Sequence, residues 1–165
     1  MKKSMIGLVG LATAFSMMAP IYAATETEEV TTSINYDKVT EYTLSIPESI
    51  QVDNMNELEQ AIGVSKVNTR HNEKVQISVK SGVDAGGKVT LTRKGGSSTV
   101  TTEITVSLTS KGSGIGANEI IAEFEDQSST ATKGGTLFFS PIPKNALAGE
   151  YEGKITFVAS VVERT

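Results

Sequence analysis

Short runs in which every second residue is apolar, broken by glycine-rich clusters, recur from Tyr42 to Val161 and leave few folds open. Successive side chains of a strand point to opposite faces, so this period marks strands with one buried and one wet face. Tyr42, Leu44 and Ile46 alternate with Thr43 and Ser45 until Pro47. Ile50 and Val52 follow after that break. Val75, Ile77 and Val79 form the next set, followed by Val89 and Leu91, then Ile104, Val106 and Leu108, then Leu137 and Phe139. In the last and longest run Tyr151, Gly153, Ile155, Phe157, Ala159 and Val161 share one face. That alignment puts Ile155 and Phe157 in the middle of the core. Between the runs lie Ser81-Gly82, Ala85-Gly86-Gly87, Lys94-Gly95-Gly96-Ser97, Lys111-Gly112-Ser113-Gly114, Lys133-Gly134-Gly135 and Ala148-Gly149. Glycine supplies the backbone angles that tight connections need.

One-sided alternation implies antiparallel pairing, because strands buried on both faces read as unbroken apolar runs. The expectation is an all-β protein: an antiparallel, Ig-like or jelly-roll β-sandwich of about seven to nine strands. One segment departs from the period. Asp53 to Gly63 is rich in helix formers, with Asp53 or Asn54 as a cap, Glu57 in the first turn and Gly63 as a stop. Met55, Leu58 and Ile62 would share one face, which predicts one short helix against the sandwich edge, with a loop as the alternative.

The N-terminus reads as a secretory signal peptide over residues 1–23. Lys2 and Lys3 precede a charge-free apolar run from Ser4, Pro20 breaks it, and Ala23 offers a small residue before the cut. An uncleaved membrane anchor is the alternative, disfavoured by Gly7, Gly10 and Pro20 within the run. Residues 24–32 then form a polar, flexible N-terminal arm, and residues 33–165 the domain. Without Lys2 and Lys3, 13 of the 15 basic side chains remain against 19 acidic ones, a net charge of −6. An acidic chain is a poor partner for nucleic acid or an anionic membrane. With no cysteine there is neither a disulfide nor a lipid-bearing thiol, so no stable membrane anchor is expected after cleavage, and the sheet and core alone must hold the fold.

Chemical signatures are sparse. His71 is the one histidine, in the polar stretch Asn68 to Lys74, and lacks the thiol or second imidazole a transition-metal site needs. Gly112-Ser113-Gly114-Ile115-Gly116 has the wrong order for a nucleophile turn and no closing Lys-Ser or Lys-Thr for a phosphate loop. Glu119, Glu123, Glu125 and Asp126 cluster, and paired carboxylates can hydrolyse glycosides or hold calcium. Glu123 and Glu125 alternate with Ala122 and Phe124, however, which makes them the solvated face of a strand. There is no Trp for sugar stacking, and Tyr42 and Tyr151 align with core faces. No catalytic, cofactor-binding or metal residue is therefore assigned, and no cofactor is expected.

The stretch from Phe138 through Ser140-Pro141-Ile142-Pro143 to Ala148-Gly149-Glu150-Tyr151-Glu152-Gly153-Lys154-Ile155-Thr156-Phe157 resembles the closing strands of small exported surface proteins of Gram-positive bacteria, WxL-like or fimbrial-subunit-like. Tyr42-Thr43-Leu44-Ser45-Ile46-Pro47 resembles their opening strand. The Trp-x-Leu motif itself is absent. The resemblance implies a non-enzymatic, structural or adhesive extracellular protein, secreted or held non-covalently at the cell surface, with filament or surface-assembly subunits among its forms. Its partners would be other surface proteins, itself or cell-wall glycan. The alternative is a secreted carbohydrate- or protein-binding module, and a minor one is a carboxylate-dependent hydrolase. The β-prone stretch Val30 to Tyr36 offers a strand that could add to a neighbour's sheet edge.

Overall fold

The computed structural model describes residues 32–95 and 99–164. The chain divides into two units, Met1–Asn35 and Tyr36–Thr165. Of the first, only Thr32 to Asn35 lie among the described residues, exposed and outside any strand. The signal peptide expected at 1–23 lies outside the described residues, as does all of the arm but Thr32. The second unit is all-β and antiparallel, with eleven strands among the described residues, nine of them four residues or longer.

Three sheets form. β1 (Glu41–Ser45) pairs with β3 (Gly63–Asn68) as a ribbon. A five-stranded sheet joins β10 (Tyr151–Glu152), β5 (Lys88–Arg93), β6 (Thr101–Ser107), β9 (Thr136–Phe139) and β2 (Leu58–Ala61), in that order. A four-stranded sheet joins β11 (Thr156–Glu163), β4 (Glu73–Ser81), β7 (Ile120–Glu125) and β8 (Lys133–Gly134). The sheets share one core in a sandwich-like arrangement. Val75, Ile77 and Val79 of β4, Ile121, Ala122 and Phe124 of β7, Val89 and Leu91 of β5, Ile104 and Val106 of β6, and Leu137 and Phe139 of β9 are all buried in it. Each large side chain so removed from water contributes about 1.5–3 kcal/mol, set against the entropy of ordering the chain.

Three pairings carry a register shift; the one where Thr156↔Ser81 gives way to Phe157↔Val79 leaves the burial pattern intact, and the other two break the period of two. In β3, Lys66 adopts a φ of 52°, and the pairing shifts between Glu41↔Asn68 and Thr43↔Ser65. The extra residue turns both Val64 and Val67 inward although they are three apart. In β7 the register moves from Ile77↔Ala122 to Ser78↔Ile120. Both Ile121 and Ala122 are buried as a result.

The helix expected over Asp53 to Gly63 is absent: among the described residues there is no helix. The cap chemistry is present, since Asp53 Oδ1 accepts hydrogen bonds from the Met55 and Asn56 N–H groups at 2.6 Å each. The turn stops there because the rest of the segment has stronger ties elsewhere. Glu57 accepts from the Ser110 hydroxyl at 2.6 Å and the Lys111 N–H at 2.9 Å. Leu58 to Ala61 then pair with Phe139 to Thr136 as β2. Pairing with a buried strand overrides the local helix preference, and Met55, 81% exposed, has no face to bury.

The closing run is not one strand. Tyr151 and Glu152 pair with Arg93 and Thr92 in the five-stranded sheet. Thr156 to Glu163 pair with β4 in the four-stranded sheet. Gly153 to Ile155 carry the chain from one layer to the other, and two glycines make room. A Cβ on Gly153 would lie 2.6 Å from Leu91 Cδ2 and 2.9 Å from the Thr90 carbonyl oxygen. Gly82, at φ +92°, would drive a Cβ into the Lys154 carbonyl oxygen. Consequently Ile155 and Phe157 do not fill the middle of the core. They pack half-buried at its margin, opposite the fully buried Val79 in the case of Phe157.

Candidate functional site

The acidic cluster sits on and just beyond β7. Gln76 faces Glu123 and Lys74 faces Glu125 across the β4–β7 pair. Residues directly opposite share a sheet face, so Glu123 lies beside Lys74 and Gln76 on the face away from the core. Glu123 Oε2 accepts from Lys74 Nζ at 3.1 Å and Oε1 from Gln76 Nε2 at 2.8 Å. Both members of the Lys74–Glu123 ion pair are largely covered, 15% and 12% exposed. Burial pushes the Glu123 carboxyl up, but hydrogen bonds from Lys74 and Gln76, with the charges of Lys74 and Lys133, outweigh it and hold the group below the usual carboxylate range. Glu123 is thus a paired carboxylate rather than the solvated one its alternation implied.

Glu125 and Asp126 point to a different partner. Arg164 Nη2 donates to Asp126 Oδ1 at 2.7 Å, and Nη1 lies 3.8 Å from Glu125 Oε2. Glu119 Oε2 accepts from the Gly116 N–H. The four carboxylates are therefore divided among three sets of partners, with Glu125 and Asp126 sharing Arg164. Among the described residues no group of three His, Asp or Glu side chains is placed to hold a metal ion.

A folded-state pKa below the unfolded value means that the Glu123 interaction stabilises the fold above the unfolded carboxyl's pKa and is lost as pH falls through the folded one. Glu123→Gln is expected to destabilise the protein by about 1 kcal/mol at pH 7, since it leaves Lys74 without its counter-charge. Urea midpoints measured against pH should show the gap between the two proteins closing in acid, below the usual carboxylate range. A gap constant down to pH 2 would show that the charge is not the cause.

The other sequence candidates are dispersed. His71 is exposed on the turn between β3 and β4. Gly112 to Gly116 is a packed segment rather than a flexible connection. Gly114 bridges Ser107, the Ile115 N–H donates to the Val106 carbonyl at 2.9 Å, and Ile115 is buried. Tyr42 and Tyr151 are both half-buried against the core, as their alignment suggested. Their hydroxyls donate to the Ala159 carbonyl at 3.3 Å and the Leu147 carbonyl at 2.9 Å. Tyr36, by contrast, is 85% exposed.

A clamp that sequence reasoning missed holds the chain ahead of β1. Arg70 Nη2 donates to both Asp37 carboxylate oxygens at 2.8 Å, and its backbone N–H donates to Thr40 Oγ1 at 3.0 Å. The Thr40 hydroxyl in turn donates to Glu73. In sequence these are ordinary polar residues 30 or more positions apart, and only the pairing of β1 with β3 brings them together. Just before the clamp, Ile34 is 94% exposed and Tyr36 85%, and Val39 within it is 62% exposed.

Two open grooves lie among the described residues. One, of about 690 Å³, is lined by Ser45, Pro47, Gln60, Val64, Phe124 and Thr130 among others, with no charged side chain. The second, of about 490 Å³, lies between the Asn54–Met55 turn and the loop from Ile142 to Gly149. Neither presents a converging set of titratable groups. Every buried side-chain nitrogen and oxygen among the described residues has a partner. Beside these grooves, the described residues present strand edges without a partner and exposed apolar side chains. Comparison with family models, curated proteins and solved structures gave no match.

Proposed function

We propose that this chain is a non-enzymatic, exported surface protein with a structural or adhesive role, which assembles through its own sheet edges. The observation that carries this reading is the exposed apolar lead-in, Ile34 and Tyr36, directly ahead of a clamped root at Asp37 to Thr40 that itself exposes Val39. Large side chains left in water mark interaction surfaces, and an extended segment can add to an unpaired strand. The pairing of Glu123 with Lys74 and Gln76 supports the non-enzymatic part, because a carboxylate held ionised by its neighbours is a poor general acid. The signal peptide over residues 1–23, the Ig-like identity of the sandwich and the resemblance to Gram-positive surface proteins belong to this same reading. Mature protein recovered from culture should then begin at Ala24.

The test is the mass in solution of residues 24–165 against a form lacking residues 24–36, which keeps Asp37 and its clamp. A larger assembly of the longer form, reduced in size in the shorter one, is the expected result. The same mass for both, at concentrations up to about 1 mM, would remove the arm from the account.

A secreted binding module is the second reading, favoured by the uncharged groove beside Ser45, Gln60 and Phe124. Neutral walls with scattered hydroxyl and amide groups suit a neutral glycan or peptide better than an ion. Binding on a glycan array that is lost in Gln60→Lys would support it over assembly.

A further inference from the structure

The geometry points to the free edge of β11 as a contact between two copies of this chain, paired antiparallel about a two-fold axis at Ser160. In the four-stranded sheet β11 pairs with β4 alone among the described residues, so its other side has no strand partner. Which backbone groups face outward follows from the ladder. The Arg164 N–H donates to the Asn72 carbonyl at 2.8 Å. Alternation then turns Val162, Ser160 and Val158 toward β4, and Glu163, Val161, Ala159 and Phe157 away from it. The Tyr42 hydroxyl reaching the Ala159 carbonyl fits this assignment, and that oxygen keeps a second lone pair.

Soluble proteins shield such an edge with proline, lysine, a bulge or great shortness. From Phe157 to Val162 β11 has no charge and no proline, and the one irregularity in its pairing lies at its start, between Thr156 and Phe157. Val158 is 41% exposed and Val161 40% exposed, whereas Val75, the residue facing Val161, is fully buried.

The strand's own sequence names the occupant. Around Ser160 it is close to palindromic in character: Val158 and Val162 lie two residues to either side, Ala159 and Val161 one. With Ser160 opposite Ser160 of a second copy, Val158 meets Val162 on the outer face in both directions. On the core side Ala159 meets Val161. Ala159 and Val161 exchange backbone hydrogen bonds with each other, and so do Phe157 and Glu163. The two Glu163 carboxylates fall at opposite ends, so no like charges meet. A patch that complements itself is the requirement for an isologous dimer. This contact does not involve residues 24–36 and is independent of the arm. A two-fold edge contact closes on itself, whereas an arm reaching to the next molecule propagates, so together they would build a chain of dimers.

Sedimentation equilibrium is expected to show dimers linked into larger species for residues 24–165, and a simple monomer–dimer equilibrium once residues 24–36 are removed. Ser160 is exposed, and Ser160→Lys should place two ammonium groups opposite each other. That should weaken the dimer about fivefold or more, with circular dichroism and the urea midpoint close to wild type. Ser160→Glu should behave alike, and an equal mixture of the two variants should restore a dimer containing one of each. A monomer at all concentrations, a dimer indifferent to both charges, or variants not rescued by mixing would each overturn the proposal. Association lost on removing residues 24–36 and untouched by S160K would also overturn it, while leaving the arm reading intact.

Discussion

Phe124→Ala is expected to lower the unfolding free energy by about 3–5 kcal/mol, the largest effect of any single truncation considered for this chain. Phe124 is 1% exposed on β7, the strand between β4 and β8, and its ring lies among the buried side chains of the common core. Removing the ring loses its transfer free energy and leaves a cavity that flanking strands cannot close. Both neighbours are fixed by ladders, Val75 opposite on one side and the Gly134–Ala122 pair on the other. Domains of this size have about 5–15 kcal/mol in total, so the variant should approach the unfolding threshold at 37 °C. Phe157→Ala is the contrast. Its ring is half-buried on the edge strand, and the loss should be below about 3 kcal/mol, because the site can partly collapse onto solvent. Urea unfolding of the two variants side by side decides the matter. Equal losses would mean that the closing strand is as central as its periodicity suggested.

Gly82→Ala is expected to cost about 2–5 kcal/mol, from two causes that add. At φ +92° an L side chain is strained by about 1–2 kcal/mol, and the new methyl group would press on the Lys154 carbonyl where the chain passes between layers. Crowding of that kind typically costs about 1–3 kcal/mol. Gly95→Ala separates the two causes. Gly95 has a φ of +72° but nothing within 4 Å of the position its Cβ would take, so about 1 kcal/mol should be lost there. If the Gly82 and Gly95 variants unfold at the same urea concentration, the close passage at Lys154 is wrong.

Much of the fold was readable because the strands that form the core bury one face only. Val75, Ile77 and Val79, and Val89 and Leu91, show the strand period undisturbed and are buried as read; of Ile104, Val106 and Leu108 the first two are buried, and Leu108, just past the end of β6, is half-buried. What escaped the sequence escaped for three physical reasons. The bulges at Lys66 and Ile121 replace alternation with spacings of three and one, so β3 gave no period-two signal. At Leu58 to Ala61, pairing with β9 outweighs good helix formers, and nothing local to Asp53–Gly63 reports that partner strand. The change of sheet at Gly153 to Ile155 preserves the face pattern on both sides, so the run looks like one strand.

The site was less legible than the fold. The Glu123–Lys74 pair and the Arg70–Asp37 clamp join residues 49 and 33 positions apart, and such contacts depend on register, which composition and local spacing do not encode. Exposure of Ile34 and Tyr36 is legible only in part: their spacing marks a strand, but not that no partner covers them.

Disulfide mapping tests the two-layer account of the closing run most directly, and a chain without native cysteine makes it clean. Facing residues in an antiparallel pair have Cα atoms about 4.5–5.5 Å apart, within reach of a disulfide. T92C/E152C joins β5 to β10, and Q76C/S160C joins β4 to β11. In protein dilute enough to be monomeric, both variants should cross-link quantitatively under mild oxidation, and each should keep the strand-rich spectrum of the parent. Cross-linking of only one, with the other remaining a free dithiol in folded protein, would mean that Tyr151 to Glu163 stays in a single sheet.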